Sequence, residues 1–378
     1  MSKIKEIEVI PLEYAVPAGR AYGTARGLNF KRSCPLITMT TEDGVVGYGE
    51  VSGPPAVVRG YLPTLRSFYI GRRIYDFELI AAHLRSKLYH SGDGHFTDCL
   101  SALDVAAAHD AIGKTLKLPV HDLIGGCANP TIPCYATTGY ITQDGMAGLE
   151  AQLAKVDKTL FSGVKIKIGI GPKSDLERVR LARKMIGDDL LLMVDVNGNY
   201  TPDIALESIR AIEPYNINWY EEPLPSHDLT GHRELRARSP IRIATGESLH
   251  SVSEFKQLID ARGADILQTN LMKCGGLTGA KTIAALADAA HLRLIPGCWG
   301  SAVVVAAVIH FIASRPASPH SDNIPYPTLL EYDISDNPLR DHLTQNPIRP
   351  ARGGIAVPTE PGLGLSFIPA AFDTLSAA

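Results

Sequence analysis

The sequence predicts an α/β protein: a parallel strand–helix barrel preceded by a smaller α+β domain. Two observations carry this prediction. From Ile132 onward, short apolar runs alternate with helix-periodic stretches in seven or eight units, the rhythm of a parallel barrel with an outer ring of helices. The runs also end alike, in charged or amide side chains followed by Gly, Pro or polar residues, as the carboxyl ends of buried parallel strands do. Asp195, Glu221 and Glu247 stand at three such ends, 26 residues apart each time, close to the length of one unit in a barrel of roughly 250 residues.

Taken in order, residues 3–12 alternate apolar and polar, and Cys34–Thr40 and Val45–Val51 read as a strand pair joined at Thr41-Glu42-Asp43-Gly44. Tyr14–Lys31 is polar, rich in Gly and Arg and without periodicity, and reads as a long loop of the functional kind. From Pro63 to Gly125 the pattern is helical, with Leu79, Ile80, Leu84 and Leu88 at helix spacing and Leu100–Ala108 as a buried helix. Barrel strands are expected near 132–137, 164–168, 191–196, 217–220, 241–245, 265–269, 292–296 and 328–332, with helices such as 175–186, 278–290 and 302–314 between them. After Asp336 the chain is rich in Pro and Gly, and Ile355–Pro358 and Gly362–Leu365 are expected to return over the first domain.

The 378 residues carry 37 basic and 40 acidic side chains with no block of one sign, which gives no electrostatic basis for nucleic-acid or membrane capture. The longest apolar stretch, Ala302–Ala313, contains His310 and is too short to span a bilayer. The N-terminus lacks a signal-peptide pattern, and the six scattered cysteines form no CxxC pair, so a cytoplasmic protein with reduced thiols is expected. Gly169–Ser174 fits neither the dinucleotide nor the P-loop pattern.

Lys165 and Lys167 lie two apart on one strand and share a face. If that face is the barrel interior, desolvation and like charge both favour the neutral amine, at least one pKa falls, and a general base results. The alternative places both at a solvated strand end, paired with acids. Asp195, Glu221 and Glu247 are hard oxygen donors without matching His or Cys, a set for magnesium (or manganese) rather than zinc. Asn197, on the same face as Asp195, is a candidate to bind substrate. A divalent cation beside a base is the arrangement that stabilises an enediolate formed from a carboxylate, the pattern of the enolase superfamily.

These residues resemble the mandelate racemase/muconate lactonizing enzyme-like branch of the enolase superfamily along essentially the whole chain. The resemblance rests on Lys165-Ile166-Lys167, Asp195-Val196-Asn197, Glu221-Glu222-Pro223, Gly246-Glu247-Ser248, Leu271–Gly276, and Ser101–Asp104 through Leu123–Gly126. It implies a modified TIM (β/α)7β barrel over 126–354 and an α+β capping domain over 1–125, completed by 355–378. It further implies Asp195, Glu221 and Glu247 as magnesium ligands, Lys167 as the base that takes the α-proton, and Lys165 tuning it or stabilising charge. The 20s and 50s loops, here Arg20–Gly27 and Ser52–Ala56, would choose the substrate, with Arg20 and Tyr22 among its contacts. Asn270, Cys298, Trp299 and Glu331 would line the site, the substrate would be a small-molecule carboxylate, and the protein would be a homo-oligomer, from dimer to octamer.

One side of the site departs from the pattern. Racemases and many sugar-acid dehydratases of the branch carry Asp and His where this chain has Asn270 and Gly297, neither of which supplies a proton. Lys273 reads as structural, and Cys298 is a candidate replacement acid. His227, Asp228, His232, and the Ser91–Gly94 loop with His90 and His95, are weaker candidates for substrate contact. Two-base racemisation is therefore disfavoured, and one-base β-elimination of water from a sugar acid is the leading expectation. A cycloisomerase of a sugar lactone or anhydro sugar acid, or a one-base epimerase of a hydroxy or amino acid, is the alternative. A Schiff-base aldolase using either lysine and a metal-binding, non-catalytic homologue are the remaining readings.

Overall fold

Strand β1 (Ile4–Ile10) pairs antiparallel with β6 (Leu36–Thr41), and β6 with β7 (Val46–Glu50), giving a three-stranded sheet. The computed structural model describes residues 2–91, 94–316 and 327–376. Helices α1 (Pro55–Tyr69), α2 (Phe77–Lys87) and α3 (His95–Leu103) cover the sheet, burying Ile7, Ile37, Met39, Val58, Leu65 and Leu84 in one cluster. The stretch expected as one helix over Leu100–Ala108 turns π-helical at Asp104–Ala111 before α4 (Ile112–Leu116) resumes it. Here β7 lies directly on the helix: a Cβ at Gly49 would stand 1.9 Å from the Ala102 carbonyl oxygen, so only glycine allows the approach.

Tyr14–Lys31, expected as a loop, holds two small antiparallel pairs. Strand β2 (Glu13–Ala15) pairs with β5 (Lys31–Ser33), and β3 (Tyr22–Thr24) with β4 (Gly27–Asn29). Strands of three residues are too short to show an alternation in sequence, which is why they read as loop.

After α5 (Val120–Ile124) and the short β8 (Thr131–Ile132) the barrel begins. Its strands are β9 (Cys134–Thr138), β10 (Gly163–Lys167), β11 (Leu191–Asp195), β12 (Ile217–Glu221), β13 (Ile243–Thr245), β14 (Ile266–Leu267), β15 (Arg293–Leu294) and β16 (Leu330–Asp333). They form one parallel sheet in the order β15-β14-β13-β12-β11-β10-β9-β16. Seven helices follow the first seven strands: α6 (Gly145–Leu153), α7 (Pro172–Ile186), α8 (Pro202–Ile212), α9 (Leu229–Arg238), α10 (Val252–Asp260), α11 (Gly276–Ala289) and α12 (Ala302–Ala313). This is a (β/α)7β barrel. Between β15 and β16 the seam is bridged by a side chain, the Glu331 carboxylate accepting from the Cys298 backbone N–H at 2.8 Å.

Helix α7 illustrates the local logic. Pro172 stands at its start and Gly187, at φ +83°, ends it, while Asp175, Arg178, Val179, Ala182 and Ile186 form the buried stripe. Helix α12 is buried on every side, which explains an apolar run with no polar face; among the described residues no helix is long and apolar enough to cross a membrane. Inside the barrel, Tyr135, Met193, Trp219, Ala244, Ile266 and Ile295 form an apolar plug. Downstream, β17 (Ile355–Ala356) pairs with β8, and after the one-turn α13 (Pro338–Asp341) and this strand comes α14 (Pro369–Thr374). The tail meets the first domain where Tyr48 packs on Phe367 at 4.2 Å and Leu363 N–H donates to Asp110.

Candidate active site

The period of two along β10 sends Val164, Ile166 and Ile168 into the shell between strands and helices and Lys165 and Lys167 into the barrel. The two lysines stand above the apolar plug. The parallel register sets Lys167 beside Asp195 and Asp195 beside Glu221, and Glu247 follows just beyond β13. From the outside, the buried Arg178 of α7 fixes the end of β10 by donating to the Lys167 and Gly139 carbonyls.

Both lysines are buried and both are paired with acids, which joins the two alternatives posed by the sequence. Lys167 Nζ bonds Asp195, while Lys165 Nζ bonds Glu221 and lies 2.9 Å from Glu331 and 3.9 Å from Asp195. The expected fall in a lysine pKa does not occur in this arrangement. Burial pulls both amines down, but the surrounding carboxylates outweigh it and both end above the ordinary lysine value. The strain falls on the acids: desolvation, against the pull of Lys165, pushes Glu221 up to about 8. Desolvation reinforced by Asp195 and Glu222 pushes Glu247 to about 7.

The backbone beside the acids is strained. Asn197 has φ +54° and Glu222 φ +42°, a region a glutamate enters only when held there. Glu222 is held by hydrogen bonds from the Thr245 hydroxyl and Gly246 N–H. Asn197 donates to both Asp195 oxygens, from its backbone at 2.8 Å and its amide at 3.3 Å, and its Oδ1 is buried without a partner among the described residues. The donor chemistry therefore fits a hard divalent cation: oxygen ligands, excess negative charge and an orphaned amide oxygen beside them. Among the described residues no three His, Cys, Asp or Glu side chains stand as a ready-made cage; the two ammonium groups bridge the acids instead.

This charge excess has a pH signature. A carboxyl whose folded pKa lies above its unfolded value stabilises the fold below the unfolded value, and that contribution is lost as pH rises through the folded one. With Glu221 and Glu247 raised, chelator-treated protein is expected to lose several degrees of melting temperature between about pH 5 and about pH 8.5. Magnesium should restore it at the alkaline end. A melting temperature flat across that range, with or without the ion, would show that these acids are not poised for a cation.

Above the rim lies a cleft of about 470 Å³ between barrel and first domain. Lys167, Asn197, Glu247, Asn270, Cys298, Trp299, Glu331 and Tyr22 line it, while Lys165, Asp195 and Glu221 lie under its floor. Arg20 lies outside, exposed and paired with Asp336 at 3.4 Å. Asp228 caps α9, and His232 is buried against it. His90 stacks on Tyr89, and His95 pairs with Asp98; Gly92 and Asp93 lie outside the described residues. Burial and then Glu331 and Glu50 hold the Cys298 thiol far above its usual value, so it does not readily release a proton. Asn270 Oδ1 turns back to accept from Met272 N–H. A Cβ at Gly297 would lie 3.7 Å from both Glu247 and Glu331, so the missing side chain leaves those two acids facing one space.

Several residues of this site escaped sequence reasoning. Arg32, 1% exposed, is sandwiched between the rings of Tyr22 (4.4 Å) and Trp299 (4.9 Å) and pairs with Asp333 at 3.1 Å. Tyr140 donates to Asp333 and accepts from Trp299 Nε1. Glu50, at the end of β7, accepts from Ser301 and Val304 at the start of α12, where a helix favours negative charge. Lys273, read as structural, lines the cleft. The one signal for Arg32 was its place just after an Arg-rich polar stretch, and a buried arginine is not visible in one sequence.

Comparison with known proteins agrees with this geometry. Residues 6–125 match the mandelate racemase / muconate lactonizing enzyme N-terminal domain, and residues 148–371 the enolase C-terminal domain-like family. The chain is 31% identical over 367 residues to an L-rhamnonate dehydratase of Saccharopolyspora erythraea, covering 93% of this chain and 87% of that one. The 3,6-anhydro-D-galactonate cycloisomerase from Zobellia galactanivorans superposes with a TM-score of 0.88 at 31% identity over 100% of both chains. A racemase from Streptomyces coelicolor A3(2), solved with bound magnesium, superposes at 0.86 with 25% identity, covering 99% of this chain and 100% of that one. The chain is an enzyme of the enolase superfamily, in its mandelate racemase/muconate lactonizing enzyme-like branch.

Proposed function

We propose that this enzyme removes the proton α to a substrate carboxylate and then expels a β-substituent, water from a sugar acid in the leading case. The observation that carries this reading is the excess of carboxyl over ammonium groups at the strand ends. Lys165 and Lys167 lie among Asp195, Glu221 and Glu331, with Glu247 beside them, so the carboxyls outnumber the ammonium groups and the crowding pushes Glu221 and Glu247 up towards neutrality. Magnesium fits that excess; Asp195, Glu221 and Glu247 would hold it, and when bound it would supply positive charge against the anion that forms on removal of the α-proton.

The chain's own groups do the rest. Lys167 Nζ, on the cleft floor, accepts the α-proton and, as the ammonium so formed, gives it to the departing β-hydroxyl, so that water leaves. Of the influences on it, burial and Lys165 both pull its pKa down and Asp195 is the leading one that raises it. Committing the Asp195 charge elsewhere therefore moves Lys167 towards its base form. Lys165, locked between Glu221 and Glu331, stays an ammonium and keeps positive charge beside the base. The wall of half-buried Trp299 with buried Tyr140 and Arg32 shields that side from water, and Asn197 orients Asp195.

Incubation with sugar acids in deuterium oxide should place deuterium α to the carboxylate, stop on EDTA treatment and resume with magnesium. Turnover indifferent to EDTA, or a borohydride-trapped lysine adduct, would replace this reading with the aldolase one. The likeness to a cycloisomerase over the whole chain supports a second outcome of the same base chemistry, in which a ring oxygen leaves instead of hydroxide. Product mass separates the two, since dehydration loses one water and cycloisomerisation loses nothing.

A further inference from the structure

The wall facing the acid rim comes from the first domain, and its cations are already matched. Lys31 and Glu13, on the paired strands β5 and β2, both line the cleft with Nζ and Oε1 2.7 Å apart. Glu13 is the better enclosed of the two, 19% exposed against 64% for Lys31. Arg32 is buried under two rings and bonded to Asp333. Arg20 pairs with Asp336 outside the cleft, and Arg26 is spent on the carbonyls of Asn197 and Gly198. Glu50 also lines this wall, but its carboxylate is taken up by Ser301 and Val304 at the start of α12; what the wall offers besides these and Lys31 and Glu13 includes the neutral Thr24, Asn29 and Ser33. Lys273 stands on the barrel side, where its field falls on Glu222.

Hydroxyl groups suit such a wall. Asn29, Thr24 and Ser33 donate and accept, Glu13 accepts, and Lys31 donates without leaving its partner. A second carboxylate does not suit it, because it would approach the fixed Glu13 charge and compete with it for Lys31. Resting on the α-proton chemistry proposed above, we infer that the cleft selects polyhydroxy monocarboxylates, of aldonate type, and rejects dicarboxylates of aldarate type. Glu13 is the rejecting group.

The test compares an aldonate with the aldarate of the same carbon number and configuration, in the magnesium-loaded enzyme, by kcat/KM for α-deuterium exchange. The wild-type enzyme is expected to prefer the aldonate by about tenfold or more. Glu13→Gln keeps the shape, releases Lys31 and should narrow that preference by about tenfold, through a gain on the aldarate. Adding Lys31→Met to Glu13→Gln should abolish the gain, which distinguishes a freed cation from a loosened cap. A wild-type preference for the aldarate, or an unchanged ratio in Glu13→Gln, overturns the inference while leaving the base chemistry standing. Exchange with neither class in folded, magnesium-binding protein overturns the reading beneath it as well.

Discussion

Lys167→Ala is expected to lower α-proton exchange by about 10²–10⁴-fold, the range contributed by a positioned general base, while magnesium binding survives. The two halves of this prediction have separate physical origins. Of the two lysines on β10, Lys167 reaches the cleft, whereas Lys165 lies beneath its floor, held between Glu221 and Glu331; the strand offers no second free amine for the proton. Lys167 is also the ammonium bonded to Asp195. Its removal frees a carboxylate rather than costing one, so affinity for the ion should hold or rise. Exchange followed by NMR in deuterium oxide, with calorimetric titration of magnesium, checks both. Wild-type exchange in the variant would remove Lys167 from the role of base.

Glu221→Gln should weaken magnesium binding by more than about 100-fold, since even outer-shell partners of a metal typically contribute 10- to 100-fold. The glutamine preserves side-chain shape, leaves an oxygen for the Trp219 Nε1 bond that Glu221 accepts at 2.8 Å, and removes the charge. Lys165 keeps Glu331 at 2.9 Å, so the fold beneath the rim should remain. The variant should also lose part of the alkaline fall in chelator-treated stability, because one of the raised carboxyls at the proposed metal site has gone. Unchanged affinity by calorimetry would take Glu221 out of the ligand set.

Much of the barrel was legible because a strand buried on both faces is written as a continuous apolar run. Strands expected at 164–168, 191–196 and 217–220 appear as Gly163–Lys167, Leu191–Asp195 and Ile217–Glu221. The first domain was less legible where its strands are short: the pairs within 13–33 show no period that three residues could carry. The π-helical turn at Asp104–Ala111 was also hidden, inside a stretch that reads as one ordinary helix.

The ionisation of the lysines shows the limit most clearly. Two residues apart on one strand, they promised mutual repulsion and a lowered pKa. Lys165, however, meets Glu221 from 56 positions away and Glu331 from still further along the chain, and attraction across the barrel exceeds repulsion along the strand. Coulomb interaction depends on distance in space, which a linear pattern does not contain.

By itself, then, the order of residues determined the barrel, the strand ends that carry Lys167, Asp195, Glu221 and Glu247, and the chemical type of each group, because these follow from local periodicity and side-chain identity. Tertiary structure alone decided which charges cancel. Closure of the barrel set the acids against the lysines, and docking of the first domain buried Arg32 against Asp333 and placed Glu13 over the cleft. Pairing energies of that kind arise only between groups that folding brings within a few ångströms.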